Sequence, residues 1–549
     1  MAMASPSTPS FSASCCCSRT NSPPFARFPF VSFNHRVVLP HPLTRRLAVS
    51  SRLNSSNASG PGGSVSPDNG DYELYHKFSR QRRRGGPPVF VMLPVDAVGP
   101  SGNLRRLKAM PQSLRALAAA GVEGVVMEVW WGLVESKVPG VYDWQGYLEL
   151  VSLAGRFGLK VRAVMAFHEC GTGPGDPHWI PLPLWVIEEI YKDPNLAYAD
   201  RFGRRNMECI SLGCDNLPVL LGRSPIQAYS DFMRNFRETF RPFLGVIITG
   251  IQVGMGPAGE LRYPSCPSSK LVSAWRSREL GEFQCYDKYM LASLKACARE
   301  TGMNAWGNGG PSGAGNLMQN PDHTEFFRSD DGSGNTTYGK FFLEWYSGML
   351  LLHGERMCRE AETIFRGTGV NTSAKVAGIH WHHGTQSHPS ELTAGYYKTL
   401  TRDGYLPIAR MFGRYEFSMC CACFEMQYVQ EKQMNPNSSP EGFLRKLLLA
   451  TRDCDIPLEG ENFGVSWDDD SFQQMLKTLK FFPNGIEKPS SFTFMRMDKN
   501  MFEYGNWVRF TRFVRQMSDA NIFQAKLGSG GDTNQSSMSY KPGLTLAYS

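Results

Sequence analysis

Val246-Ile247-Ile248-Thr249-Gly250-Ile251-Gln252-Val253-Gly254-Met255-Gly256-Pro257-Ala258-Gly259-Glu260-Leu261-Arg262-Tyr263-Pro264-Ser265 is an apolar run that empties into a glycine- and proline-shaped loop carrying one carboxylate. Eight mostly apolar residues are too few for a typical helix and read as a strand buried on both faces. The glycines and prolines that follow exclude regular structure and deliver Glu260 into a loop at the strand end. Repeated around a sheet, this unit of strand followed by polar loop decides the fold.

It is repeated. Apolar runs at 89–95, 124–129, 160–167, 246–253, 376–381, 419–424, 455–459 and 492–497 alternate with helical patterns such as 104–119 and 148–155. Near-continuous apolar strands separated by helices imply parallel pairing with crossover helices. Eight of them predict an α/β chain folded as a (β/α)8 TIM barrel, with long βα-loop insertions forming the active-site side, the first at about 171 to 245. A length prior of about 100–200 residues per domain would divide 549 residues into several units. Barrels of this kind routinely exceed about 250 residues as one domain.

The ends have a different composition. Arg19, Arg27, Arg36, Arg45, Arg46 and Arg52 fall in a Ser- and Pro-rich segment with no acid before Asp68. This is the composition of an organelle transit peptide, and Pro and Arg interrupt every apolar run that could serve a secretory signal. The expected organisation is a plastid transit peptide at 1–54, a flexible linker at 55–86, a catalytic barrel at 87–525 and a flexible tail at 526–549. The net charge of +8 owes six of its cations to the first segment, leaving 52 basic against 50 acidic residues, so nothing in the body calls for nucleic acid. No stretch reaches the ~20 apolar residues of a membrane span. Fourteen cysteines show no paired CxxC spacing, and Cys421 and Cys423 alternate with Ala422 in an apolar run, as buried strand thiols do.

Two carboxylates on separate strand-end loops are the minimal equipment for glycoside hydrolysis, one as acid and one as base. Glu260 is the first. Held against apolar neighbours it would be kept protonated as a general acid, while a surface pair with Arg262 is the plain alternative. The second lies in Leu458-Glu459-Gly460-Glu461-Asn462, where alternation points Glu459 and Glu461 the same way and does not choose between them. Asn462 could orient a water or a sugar hydroxyl. His168, Glu169 and Asp176 flank Cys170-Gly171-Thr172-Gly173-Pro174-Gly175, which has the composition of a lid and lacks the G-K-[ST] ending of a phosphate loop. His380, His382, His383 and His388 lack H-E-x-x-H spacing, so a structural or substrate-bonding histidine is the simpler reading than a metal ligand. Trp130, Trp131, Trp179, Trp185, Tyr263, Trp345, Tyr346 and Trp381 lie near the candidate loops, where rings either stack on sugars or pack in the core.

With these residues assembled, the chain resembles plant β-amylases, the inverting exo-acting glucan hydrolases of glycoside hydrolase family 14, from about 89 to 520. The resemblance is carried by Glu128-Val129-Trp130-Trp131-Gly132, Phe167-His168-Glu169-Cys170-Gly171, Gly203-Arg204-Arg205-Asn206, the Gly254 loop, Gly281-Glu282-Phe283-Gln284-Cys285-Tyr286-Asp287-Lys288-Tyr289, Gly378-Ile379-His380-Trp381, Glu391-Leu392-Thr393-Ala394-Gly395-Tyr396-Tyr397 and Gly460-Glu461-Asn462. It implies Glu260 as general acid, Glu461 rather than Glu459 as general base, carboxyls roughly 6.5–9.5 Å apart, and β-maltose released from the non-reducing ends of α-1,4-glucans. It implies no metal or organic cofactor. His168, Asp176, Lys375, His380, Asn462 and Arg496 match the family's sugar-binding positions.

Four positions depart from the family pattern. Glu128 stands for Asp, Thr172-Gly173-Pro174 changes the lid, Ala422 replaces a Thr, and Phe463-Gly464 replaces Ala-Leu. Ala422 and Phe463 are therefore altered substrate-binding positions. Two functions compete: a plastid β-amylase of starch breakdown, and a glucan-binding or regulatory relative that kept the barrel and lost turnover.

Overall fold

A computed structural model describes residues 86–519 apart from 267–280, 317–318, 329–330, 400, 428–436, 465–466 and 480–490. The expected transit peptide, nearly all of the linker and the tail lie outside the described residues.

Eight parallel strands close into a barrel: β1 Val89–Met92, β2 Gly124–Trp130, β3 Lys160–Ala166, β6 Ile248–Val253, β7 Asn371–Lys375, β8 Ser418–Cys421, β9 Leu458–Glu461 and β10 Phe492–Phe494. β10 pairs with β1 and completes the ring. The remaining strands, β4 Ala197–Ala199 and β5 Arg205–Ile210, form an antiparallel hairpin inside the insertion that follows β3. Alternation along the strands divides the core. Val89, Val91, Val125, Met127, Val161, Ala163 and Met165 pack outward with the helices, while Phe90, Met92, Val126 and Val164 cluster inside the barrel. Polar residues that follow the inward register, such as Glu128 and Glu461, are thereby aimed at the lumen.

The helical shell obeys local rules. Helix Pro225–Thr239 opens with a capping box in which the Ser224 hydroxyl accepts from the Gln227 N–H and the Gln227 side chain accepts from the Ser224 N–H, with Pro225 at the first helical position. Such a cap is worth about 1 kcal/mol. Trp131 is fully buried, edge-on to Phe167, Trp185 and Tyr229, so it packs in the core, as do Trp185 and the stacked pair Tyr263 and Tyr346.

One strand differs from the sequence expectation. The fifth strand is Asn371–Lys375, not 376–381, which contains no strand and continues from the end of β7 along the cavity wall. Val376, Ala377 and Ile379 are buried there, Val376 still donating its N–H to the Cys420 carbonyl of β8 at 2.9 Å, and that burial produces the apolar run. The true strand is polar because its first residues, Asn371 and Thr372, are exposed or partly exposed and its last, Lys375, points to acidic partners in the lumen. A second, longer insertion that the sequence reading did not single out lies between β6 and β7, where helix Lys288–Glu300 and the 29-residue helix Thr337–Phe365 stand.

Candidate active site

Strand ends and loops enclose a cavity of about 280 Å³, with an inner end formed by Met92, Glu128, Trp130, Val164 and Gln252 from the strands themselves. Its walls hold Glu260, Arg262, Lys375, Ala422, Glu461, Asn462, Phe463, Arg496 and His168.

Glu461 is the last residue of β9 and is 2% exposed. Its Oε2 lies 2.8 Å from Lys375 Nζ, and the same ammonium stands 4.0 Å from Glu260 Oε1. One cation therefore lies between two carboxylates from different strand ends. Burial alone would lower the lysine pKa, but Glu461 and Glu260 outweigh it and raise it above the ordinary value, so Lys375 is charged. Glu459 points the same way, as alternation required, but one layer deeper, where its Oε2 accepts from Arg162 Nη1 at 3.1 Å. Depth, which spacing could not supply, separates the two glutamates.

Glu260 has Arg262 as a partner, with Nε donating to Oε2 at 2.7 Å. The pair is not on the surface: Arg262 is 4% exposed and lines the cavity. Nor is the carboxylate set among apolar neighbours as expected, because two cations flank it. The loop bearing it is tightly folded. A Cβ on Gly256 would come within 2.6 Å of the Glu260 carbonyl oxygen and 2.8 Å of that of Arg262, so only glycine allows this return of the chain. The Leu261 N–H then donates to the Lys375 carbonyl at 2.8 Å, joining this loop to the end of β7.

At the inner end, Arg496 donates to both oxygens of Glu128, at 2.8 and 3.2 Å. Burial would push the Glu128 carboxyl up, but the guanidinium holds it below the usual carboxylate range. Burial depresses His168 to about 4, with Glu128 opposing and Arg262 and Lys375 adding to the shift, so its imidazole is neutral near pH 7.

Asn462 lines the cavity, yet its amide is engaged with backbone. Oδ1 accepts from the Met495 N–H at 2.7 Å, and Nδ2 donates to the Met495 and Gly464 carbonyls at 2.8 and 2.9 Å. It shapes the loop that presents Arg496, in place of the expected free amide for water or sugar. Glu425 does the equivalent for the next residues, its Oε1 accepting from the Phe463 and Gly464 N–H groups at 2.8 Å each. Phe463 is 42% exposed at the cavity rim, and Ala422 is buried in the wall.

Two expected positions are not brought to the cavity. Asp176 lies on the exposed loop, where its carboxylate accepts from the His178 N–H at 2.9 Å and the Thr172 N–H at 3.1 Å. These bonds lower its pKa and stabilise the turn between Gly171 and Gly173, both at positive φ. His380 is 2% exposed, its Nδ1 2.7 Å from Ser438 Oγ, while its neighbours Gly378, Ile379 and Trp381 line the cavity. Burial depresses it to about 3. Among the described residues no group of three or more His, Cys, Asp or Glu side chains is arranged to hold a metal ion. Of the candidate rings, Trp130 and Trp381 line the cavity. Gln252 and Met495 also line it, although no sequence motif marks them; for Gln252 the signal is its inward register in β6, two residues beyond Gly250.

The family model for glycosyl hydrolase family 14 matches residues 90–522. Similar proteins include one named beta-amylase 1, chloroplastic, from Arabidopsis thaliana, 51% identical over 440 residues covering 79% of this chain and 76% of the relative. A protein of the same name from Oryza sativa subsp. japonica is 50% identical over 440 residues, covering 80% of this chain and 82% of its own length. Among solved structures, the catalytic domain of beta-amylase from Paenibacillus polymyxa matches with a TM-score of 0.63 at 25% identity, covering 79% of this chain and 99% of that one.

Proposed function

The chain belongs to glycosyl hydrolase family 14, and from that premise we propose that Glu260 and Glu461 are the acid and base with which it hydrolyses starch-type α-1,4-glucans. The enzyme is a β-amylase that releases maltose from chain ends, and it acts in the plastid, as its relatives named chloroplastic do. Residues 1–54 are its proposed transit peptide.

The observation that carries the assignment is the Lys375 ammonium between two carboxylates in one cavity. Glu260, protonated before each turnover at the expense of its ion pairs with Arg262 and Lys375, delivers that proton to the glycosidic oxygen from one side. Glu461 removes a proton from a water that attacks the anomeric carbon from the other, and configuration inverts. Lys375 offsets the negative charge of the pair, which allows two carboxylates to share a buried site. The strand side chains at the inner end limit entry to the end of a glucan and favour a short fixed product. Glu128 and Arg496 are the proposed contacts of the innermost sugar, with His168 and Lys375 beside it. Asp176 and His380 are proposed to bind sugar only when the loops that carry them move.

The Glu128 carboxylate, one methylene longer than the family's Asp, is paired through both oxygens with Arg496, so sugar hydroxyls compete with a bidentate ion pair. Ala422 contributes no hydroxyl near the base. Both are expected to slow the reaction. The test is maltose release from soluble starch by the full chain, alongside Glu260→Gln and Glu461→Gln. The parent should exceed both variants by about 10²–10⁴-fold. A parent no faster than the variants, yet binding maltooligosaccharide by calorimetry, would instead identify a glucan-binding protein.

A further inference from the structure

Glu260 lies beyond the end of β6, where an isolated bridge to Lys375 of β7 ties its backbone to the barrel on one side only. Two side chains outside the cavity grip the backbone between them. His353, 8% exposed in helix Thr337–Phe365, directs Nε2 at the Met255 carbonyl oxygen at 3.0 Å. That oxygen can only accept, so the ring nitrogen donates. The other edge of the ring is held by Asp215, whose carboxylate oxygens both lie 3.0 Å from Nδ1. Asp215 is 2% exposed and also accepts from Arg356 Nη1 at 2.8 Å. The ring thus has one orientation, fixed from the insertion after β3 and from its own helix.

On the far side of the same turn, Glu208 of β5 accepts from the Ala258 N–H at 3.0 Å. Ala258 has φ 53°, left-handed backbone that a non-glycine residue adopts at a cost of about 1–2 kcal/mol. The Glu208 bond offsets that cost where the chain turns toward Glu260.

We propose that His353 and Glu208 are positioning residues for the general acid: they fix Met255 and Ala258, and through them the place of the Glu260 carboxyl, without touching substrate. The inference rests on Glu260 being the acid. A displaced acid slows only the step that needs protonation of the leaving group. Starch needs that proton, whereas a maltosyl fluoride, whose fluoride departs with little help, does not.

The test compares the two substrates for His353→Leu, His353→Gln and Glu208→Ala in the full chain. His353→Leu should lower kcat on starch roughly 10–100-fold with KM within about threefold, as expected for a misplaced catalytic group. Its kcat on maltosyl fluoride should stay within about threefold of the parent. His353→Gln, which keeps a nitrogen donor in reach of the Met255 carbonyl, should recover most of the starch activity. Glu208→Ala should show the same split and carries the test if the leucine variant does not fold. Equal losses on both substrates, or no loss on starch, would overturn the proposal. Glu260→Gln is the separate control. If fluoride hydrolysis does not relieve that variant, the acid reading itself fails, and the positioning inference with it.

Discussion

Glu461 and Glu260 approach the same ammonium by different routes. Glu461 belongs to β9, whose neighbours β8 and β10 fix its backbone by parallel pairing, and its side chain has Lys375 as the cation in contact. Glu260 belongs to a loop whose backbone depends on His353, Glu208 and the β7 carbonyl, and its carboxylate has Arg262 as well as Lys375. The strand-borne carboxylate is rigid in backbone and has one cation in contact, with Arg496 acting on it from further away. The loop-borne carboxylate has two charges and depends on distant parts of the chain. Chemistry done from two strand ends can therefore fail in two separable ways, by loss of charge balance on one side and loss of backbone position on the other.

Removing the shared cation gives the largest effect and tests the asymmetry directly. Lys375→Met should destabilise the protein by about 3–5 kcal/mol, because it leaves a buried carboxylate without its counter-charge. Adding Glu461→Gln should restore most of that stability in denaturant titrations, while adding Glu260→Gln should restore little, since Arg262 still pairs with Glu260. Equal recovery from the two second changes would break the comparison.

A pH effect comes next, and it belongs to the acid-loop side, where His168 packs beside Gly259. Folding holds His168 near 4, against an unfolded value of about 6.5. Between these values the unfolded chain binds the proton first, so stability rises with pH across the window and is lost as pH falls from about 6.5 to 4. The full change is on the order of 3 kcal/mol. His168→Gln should remove that share of the slope in melting temperature, leaving the parallel contributions of His380 and His383, which burial also depresses. Glu128, held below the carboxylate range by Arg496 despite burial, loses its contribution only at lower pH, as pH falls below the ordinary carboxylate range. An unchanged slope in His168→Gln would contradict this account of the loop.

The smallest effects concern the substituted positions. Glu128→Asp shortens the carboxylate that pairs with Arg496, and Ala422→Thr adds a hydroxyl beside Glu461. Each should raise kcat/KM on maltooligosaccharides, by roughly two- to tenfold if one partial hydrogen bond is regained. Slower hydrolysis in both would show that the parent pocket has repacked around its own residues.

Much of the fold and part of the site are legible in the amino-acid sequence. Seven of the eight strands lie within or across the apolar runs, because parallel barrel strands are buried on both faces. The eighth, Asn371–Lys375, escapes that pattern because its first residues are exposed and Lys375 faces two carboxylates, while the apolar residues after it are buried as a loop. Glu260 and the pair Glu459 and Glu461 can be picked from their settings. The difference between Glu459 and Glu461 cannot, because it is one of depth in the barrel. Asp176 and His380 are picked out by the family resemblance, yet here Asp176 bonds to its own loop and His380 to Ser438 in the loop after β8, a conformational fact that sequence does not carry. His353 and Glu208 are invisible for a simpler reason: they reach the acid loop across 98 and 50 residues of chain. Neither stands in a pattern that local chemistry can read.

The central claim is that these two carboxylates work from opposite faces of the sugar. It is tested most directly by following the anomeric protons of maltose by NMR during the first minutes of starch hydrolysis, before mutarotation. The account predicts that β-maltose appears first and the α anomer grows in afterwards. Initial α-maltose would contradict it, because that outcome requires a retaining pair of carboxylates.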